Sequence, residues 1–133
     1  MQFNNINVGD ELPALDIPIT VELIASGAIA TRDYFPGHHD VEAARELGSP
    51  HIFMNILTTS ALSQRFIEDW AGPAARFNDL QIKLGAPNYP GDTMKFTGEI
   101  SKIDQNTKVV DIVFKGKNSM GNHVTGLASV VLP

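Results

Sequence analysis

Ile52-Phe53-Met54-Asn55-Ile56-Leu57-Thr58-Thr59-Ser60-Ala61-Leu62-Ser63-Gln64-Arg65-Phe66-Ile67-Glu68-Asp69-Trp70 is the longest helical pattern in the chain. Ile52, Ile56, Leu57, Ala61, Leu62, Phe66 and Ile67 keep to three- and four-residue spacing, and Gln64, Arg65, Glu68 and Asp69 gather toward the C-terminal end. The N-terminal half is almost wholly apolar. That predicts a helix buried on most sides, as when a sheet wraps around it. Ala71-Gly72-Pro73 terminates it.

The flanking segments supply the sheet. Arg76 to Ala86 alternates, with Phe77, Leu80, Ile82 and Leu84 as inward positions, and Asn88-Tyr89-Pro90-Gly91-Asp92 is a turn. Thr93 to Ile103, Lys108 to Lys117 and His123 to Leu132 read as further strands, separated by turns at Asp104-Gln105-Asn106 and Asn118 to Asn122. Strands in series with tight turns predict an antiparallel meander. Upstream, Met1 to Pro18 is an irregular lead-in broken by Gly9, Pro13 and Pro18. Ile19 to Thr31, β-branched at first and then rich in small residues, predicts a strand or a strand plus a turn. Asp40 caps a short helix from Val41 to Leu47, which Gly48 closes. One apolar helix and a run of antiparallel strands bury each other most simply if the sheet curls around the helix. The expected class is α+β, with residues 1–133 as a single domain.

The chain of 133 residues is long enough for a real core, and 43% hydrophobic content sets it far from the disordered class. A net charge of −5 without basic runs argues against nonspecific binding to nucleic acid. The lack of cysteine excludes disulfides, thiolate metal sites and a cysteine nucleophile. Met1 to Asp10 lacks the basic-then-apolar order of a signal peptide, and no apolar run reaches membrane-spanning length. A cytoplasmic protein is the default expectation.

Asp33-Tyr34-Phe35-Pro36-Gly37-His38 is the candidate site. It sets a carboxylate and an imidazole five residues apart, with a proline and a glycine bending the chain between them. Two such groups facing one water form a general acid–base pair. The hexapeptide alone reads more readily as a loop whose polar residues face solvent.

The order of elements resembles the hotdog fold, and the motif resembles the signature of the MaoC-like (R)-specific enoyl-CoA hydratases. That signature reads Asp, any residue, Asn, Pro, Leu, His, any residue, Asp, followed by a short helix and a long central one. Asp33, Pro36, His38 and Asp40 match in order and spacing, and Ala44 and Gly48 fall where the family favours small residues. Tyr89-Pro90-Gly91-Asp92-Thr93 looks like the family's turn before its next long strand. Within the family, Ala30-Thr31-Arg32-Asp33, His38-His39-Asp40, Ile52 to Thr58 and Asp69 to Pro73 resemble the small subunits of actinobacterial steroid side-chain enoyl-CoA hydratases. Those subunits work beside a second, larger hotdog subunit. Phe35 stands where the family has Asn, Gly37 where it has Leu, and Asn55-Ile56 replaces the His-Gly that opens the central helix.

The resemblance implies reversible syn addition of water to a trans-2-enoyl-CoA, giving the (R)-3-hydroxyacyl-CoA. Asp33 and His38 would activate the water, and one of them would return a proton to C2. Either can be the base, and a coupled pair titrates as a unit. Charge on the thioester oxygen would fall to a backbone N–H at the start of the long helix. By motif position this is Ile56, which also reads as plain core packing. Asn55 is a substrate donor or a helix cap. The CoA thioester is the substrate and no cofactor is expected. The four histidines lack the ligand spacing of a metal site. The partners implied are a second copy or a second hotdog subunit. A partner-dependent subunit, a non-catalytic acyl-CoA binder and a hotdog thioesterase are the alternatives, and Phe35 and Asn55-Ile56 favour the non-catalytic one. His39 reads as solvated or supporting, His51 as a surface or capping residue and His123 as exposed. Thr58, Ser60 and Ser63 lack a nucleophile elbow. Arg32, Arg76, Lys83, Lys115 and Lys117 are either CoA-phosphate contacts or solvated strand ends.

Overall fold

Five strands and three α-helices appear in the computed structural model, which describes residues 1–133. In chain order they are β1 (Leu15–Pro18), α1 (Val21–Ala30), α2 (Val41–Glu46), α3 (Ile56–Ala71), β2 (Arg76–Leu84), β3 (Thr93–Asp104), β4 (Val109–Asn118) and β5 (Gly121–Val131). All strands join one antiparallel sheet in the order β1-β3-β4-β5-β2. The expected simple meander holds for β3 to β5 only. β2 lies on the far edge and pairs with β5, with Phe77 opposite Val130 and Ile82 opposite Gly126. A strand that leaves the end of α3 and joins the far edge seats the helix across the concave face instead of beside it.

The core lies between that face and α3. Leu62, Phe66 and Ile67 meet Met94, Phe96 and Ile100 of β3, Val110, Ile112 and Phe114 of β4, and Val124, Ala128 and Val130 of β5. Phe66 stacks on Phe96 with centroids 5.3 Å apart, and Phe114 tilts against both rings. This is the hotdog arrangement that the pattern of elements predicts.

Four expectations need correction. Ile19 to Thr31 holds α1, not a strand. Thr20 Oγ1 accepts the Leu23 N–H at 3.0 Å as N-cap, and the buried pair is Ile24 and Ala28, at i and i+4. Burial at helical spacing outweighs β-branched propensity here. α3 begins at Ile56, because Asn55 caps it and the residues before it are held by other segments. Phe53 N–H bonds the Gly37 carbonyl and Met54 N–H the Asn88 carbonyl, each at 3.2 Å. Nor is the start of α3 buried on most sides. Ile56 is 51% and Leu57 48% exposed, so Ile56 is not core packing. The buried side there carries Thr58 and Thr59, and a Cβ on Gly27 of α1 would lie 2.9 Å from Thr58 Cγ2. On the edge strand β2, Phe77, Leu80 and Ile82 are part-buried while Leu84 is exposed. No helix is long and apolar enough to cross a membrane.

Candidate active site

The end of α1 aims Asp33. Thr31 Oγ1 donates back to the Gly27 carbonyl at 2.8 Å, Arg32 takes a left-handed φ of 55°, and Asp33 N–H bonds the Ala28 carbonyl at 2.9 Å. A short 3-10 turn over Pro36–His38 then swings the chain back, with the proline at its first position. This brings Asp33 Oδ2 within 3.3 Å of His38 Nε2.

Each member is held by further bonds. His38 Nδ1 lies 2.6 Å from the Phe53 carbonyl oxygen, which can only accept, so Nδ1 carries the proton. With Nδ1 committed to that carbonyl, Nε2 is the ring nitrogen that faces Asp33. Asp33 Oδ1 accepts the Phe35 N–H at 3.2 Å and Oδ2 accepts Asn55 Nδ2–H at 3.0 Å. His39 Nε2–H donates to the Asp33 backbone carbonyl at 2.9 Å. The Asn55 amide, the Phe35 N–H and the nearby His38 and His39 rings hold the Asp33 carboxyl below the usual carboxylate range. Asp33 is thus ionised at neutral pH. Its side chain is 28% exposed and that of His38 8%, so the carboxylate and only an edge of the ring reach the surface.

Asn55 ties three elements together. Its Oδ1 accepts Thr58 N–H at 3.0 Å and caps α3, while Nδ2 donates to Asp33 and, at 2.9 Å, to Thr31 Oγ1. With both amide hydrogens engaged and 2% exposure, Asn55 is a cap and a support for Asp33, not a free substrate donor. Ile56 N–H follows at the first helical position, where no carbonyl of α3 can reach it. Two phenyl rings flank the imidazole. Phe53 lies 4.9 Å and Phe35 5.4 Å from it, centroid to centroid, both edge-on.

The other histidines divide. His39 is the supporting residue just described, and His51 Nδ1 accepts the N–H of its neighbour Ile52 at 2.8 Å. His123 is not exposed. β5 already runs from Gly121, which places His123 inside the strand under α3, with Nδ1 2.7 Å from the Ala86 carbonyl and Nε2 2.8 Å from Thr59 Oγ1. Burial pushes its pKa down. No three His, Asp or Glu side chains converge on one point. The sequence reading missed the Phe53 carbonyl, since a backbone acceptor leaves no mark in residue type. The tie from Asn55 to Asp33 was half visible, as a cap position one turn before the buried Thr59.

Residues 4–120 match the MaoC like domain. The chain belongs to the MaoC-like family. This MaoC-like chain is 42% identical over 118 residues to the 3-oxo-4,17-pregnadiene-20-carboxyl-CoA hydratase beta subunit of Mycobacterium tuberculosis, over 89% of this chain and 90% of that protein. Its structure matches a chain in the ChsH1-ChsH2 complex from Mycobacterium tuberculosis at a TM-score of 0.92 and 38% identity, over 96% of this chain and 98% of that one. It also matches the (R)-hydratase from A. caviae involved in PHA biosynthesis at a TM-score of 0.89 and 18% identity, over 97% and 98% of the two chains. That likeness is one of fold alone.

Proposed function

We propose that this MaoC-like protein hydrates a 2-enoyl-CoA with a bulky, steroid-derived acyl group, with Asp33 and His38 as its catalytic pair. The observation that carries the reading is the 3.3 Å approach of Asp33 Oδ2 to His38 Nε2, with the Nδ1 proton committed to Phe53. A water bridging Oδ2 and Nε2 from the open side of the pair loses a proton to Nε2 as its oxygen bonds C3. Asp33, the weaker base because its pKa is depressed, stays ionised, orients the water and stabilises the imidazolium. The electron pair moves to the thioester oxygen, where the Ile56 N–H at the positive end of α3 receives it. The imidazolium then gives its Nε2 proton to C2. Both additions come from one face, which is syn hydration. Every proton transfer stays within the pair, so the reading needs no resident cofactor or metal.

The name of the 42% identical relative supports the steroid acyl group, and the ChsH1-ChsH2 match supports a second hotdog subunit as partner. The exposed Ile56, Leu57 and Leu84, with β2 as an open sheet edge, are the surfaces such a partner covers. A substrate carried on CoA is consistent with a cytoplasmic location.

The test mixes the chain, alone and co-purified with a neighbouring hotdog protein, with short and steroid-like 2-enoyl-CoAs. Loss of the conjugated thioester without release of thiol is the expected result. Asp33→Asn and His38→Ala each lower kcat/KM by about 10²–10⁴ with the fold retained. Near-normal rates in either variant sink the assignment, and thiol release points to a thioesterase.

A further inference from the structure

We propose that Phe35 selects the acyl group, and that Gly37 is glycine so that the Phe35 ring can stand beside the dyad. The inference rests on the hydratase reading for the place of the acyl chain. Its evidence is steric. A Cβ on Gly37 would lie 2.9 Å from Phe35 Cε1 and 2.9 Å from both Cε1 and Cζ of Phe53. Gly37 has no left-handed φ, so the space and not the backbone demands glycine. The family signature has Asn and Leu at these two positions. Here they are one coupled exchange, in which an emptied position 37 admits a ring at position 35.

That ring faces the reaction. A water on His38 Nε2 sits about 3 Å from it, and C3 about 3 Å further on. The first carbons beyond C3 must therefore pass the groups bordering the imidazole. Phe53 is part-buried, but Phe35 remains 46% exposed although its centroid is only 5.4 Å from the ring of His38. Its N–H holds Asp33 Oδ1, so the phenyl and the carboxylate are set by the same short turn. A flat apolar wall at that point favours an extended, ring-bearing acyl group over a short one.

The experiment uses the chain co-purified with its hotdog partner, as Phe35→Ala, Gly37→Ala and the double variant. Two quantities are read for a polycyclic acyl-CoA against a four-carbon one: kcat/KM for the 2-enoyl forms and Kd for the unreactive saturated forms. The polycyclic-to-short ratio falls about tenfold in Phe35→Ala, the share expected of a half-exposed phenyl ring. Gly37→Ala lowers it similarly by crowding the ring out; the clash of its methyl with Phe53 slows both substrates alike, so the ratio in the double variant is no lower than in Phe35→Ala alone. Unchanged ratios in Phe35→Ala, or additive losses in the double variant, overturn the proposal. If Gly37→Ala does not fold, Phe35→Ala decides. If the wild type turns over neither enoyl-CoA, the hydratase reading fails, and the Kd ratio still settles the role of Phe35.

Discussion

Asn55 does two separable jobs, and two substitutions divide them. Asn55→Ala removes the cap on Thr58 N–H and both donors, whereas Asn55→Asp keeps an oxygen for the cap and removes only the donors. Loss of an N-cap costs about 1 kcal/mol, which at this chain length lowers Tm by roughly 4 °C. Asn55→Asp keeps most of that, since a carboxylate suits a helix N-terminus. Its effect falls on Asp33. The Asn55 hydrogen bond is the largest cause of the lowered Asp33 pKa, and the substitution sets a second carboxylate where a donor stood 3.0 Å away. Both changes raise the Asp33 pKa, so the ionised carboxylate that orients the water is lost at a higher pH than in the wild type, and activity at the acid end of the profile falls off sooner. Loss of aim adds about 10² in rate, the scale of a misplacement near 1 Å. The assays are thermal melting and loss of conjugated thioester across pH. A rate and pH profile equal to wild type in Asn55→Asp would refute the reasoning, because Asp33 would then owe nothing to Asn55.

His123 is held neutral by burial, so its folded pKa lies below its ordinary 6.5. Its contribution to stability is full above about pH 6.5 and is lost as pH falls through the lower folded value. His123→Gln should flatten that part of a melting-temperature profile, and an unchanged slope counts against it. Asp33, Asp92 and Asp104 also have depressed pKa values, so their contribution is present above about pH 3.8 and goes as pH falls through the folded values. Gly126→Ala should cost about 2 kcal/mol, several degrees of Tm, because its Cβ would meet the Phe114 ring and lie 2.6 Å from the Gln81 carbonyl. A melt within a degree of wild type would show that β2 and β5 can part to admit a methyl group.

The strands from Arg76 onward were legible because each is a run of alternating residues between turn residues, and both signals are local. α2 was legible for the same reason, with Asp40 as cap. α1 was not, because Ile19 and Val21 carry strand propensity while the burial of Ile24 and Ala28 against other elements decides the helix. The place of β2 was hidden because hydrophobic alternation names a strand but not its neighbour. His123 was misplaced because a polar residue near a turn looks exposed until α3 is laid over the sheet. The exposure of Ile56 was hidden in the opposite way, as an apolar residue in an apolar run.

By itself the sequence determined the long helix, four of the five strands' bounds to within a residue or two, and the placing of Asp33 and His38 five residues apart around one short turn. These rest on periodicity, capping and turn chemistry, all of which act between residues near one another in the chain. Only the tertiary structure decided that Oδ2 and Nε2 stand 3.3 Å apart, that Phe53 sets the tautomer and that Asn55 braces the carboxylate. Those facts join the end of α1, the turn at Pro36–His38 and the start of α3. Such long-range contacts are set by how the helix lies in the sheet, and no local pattern of residues records them.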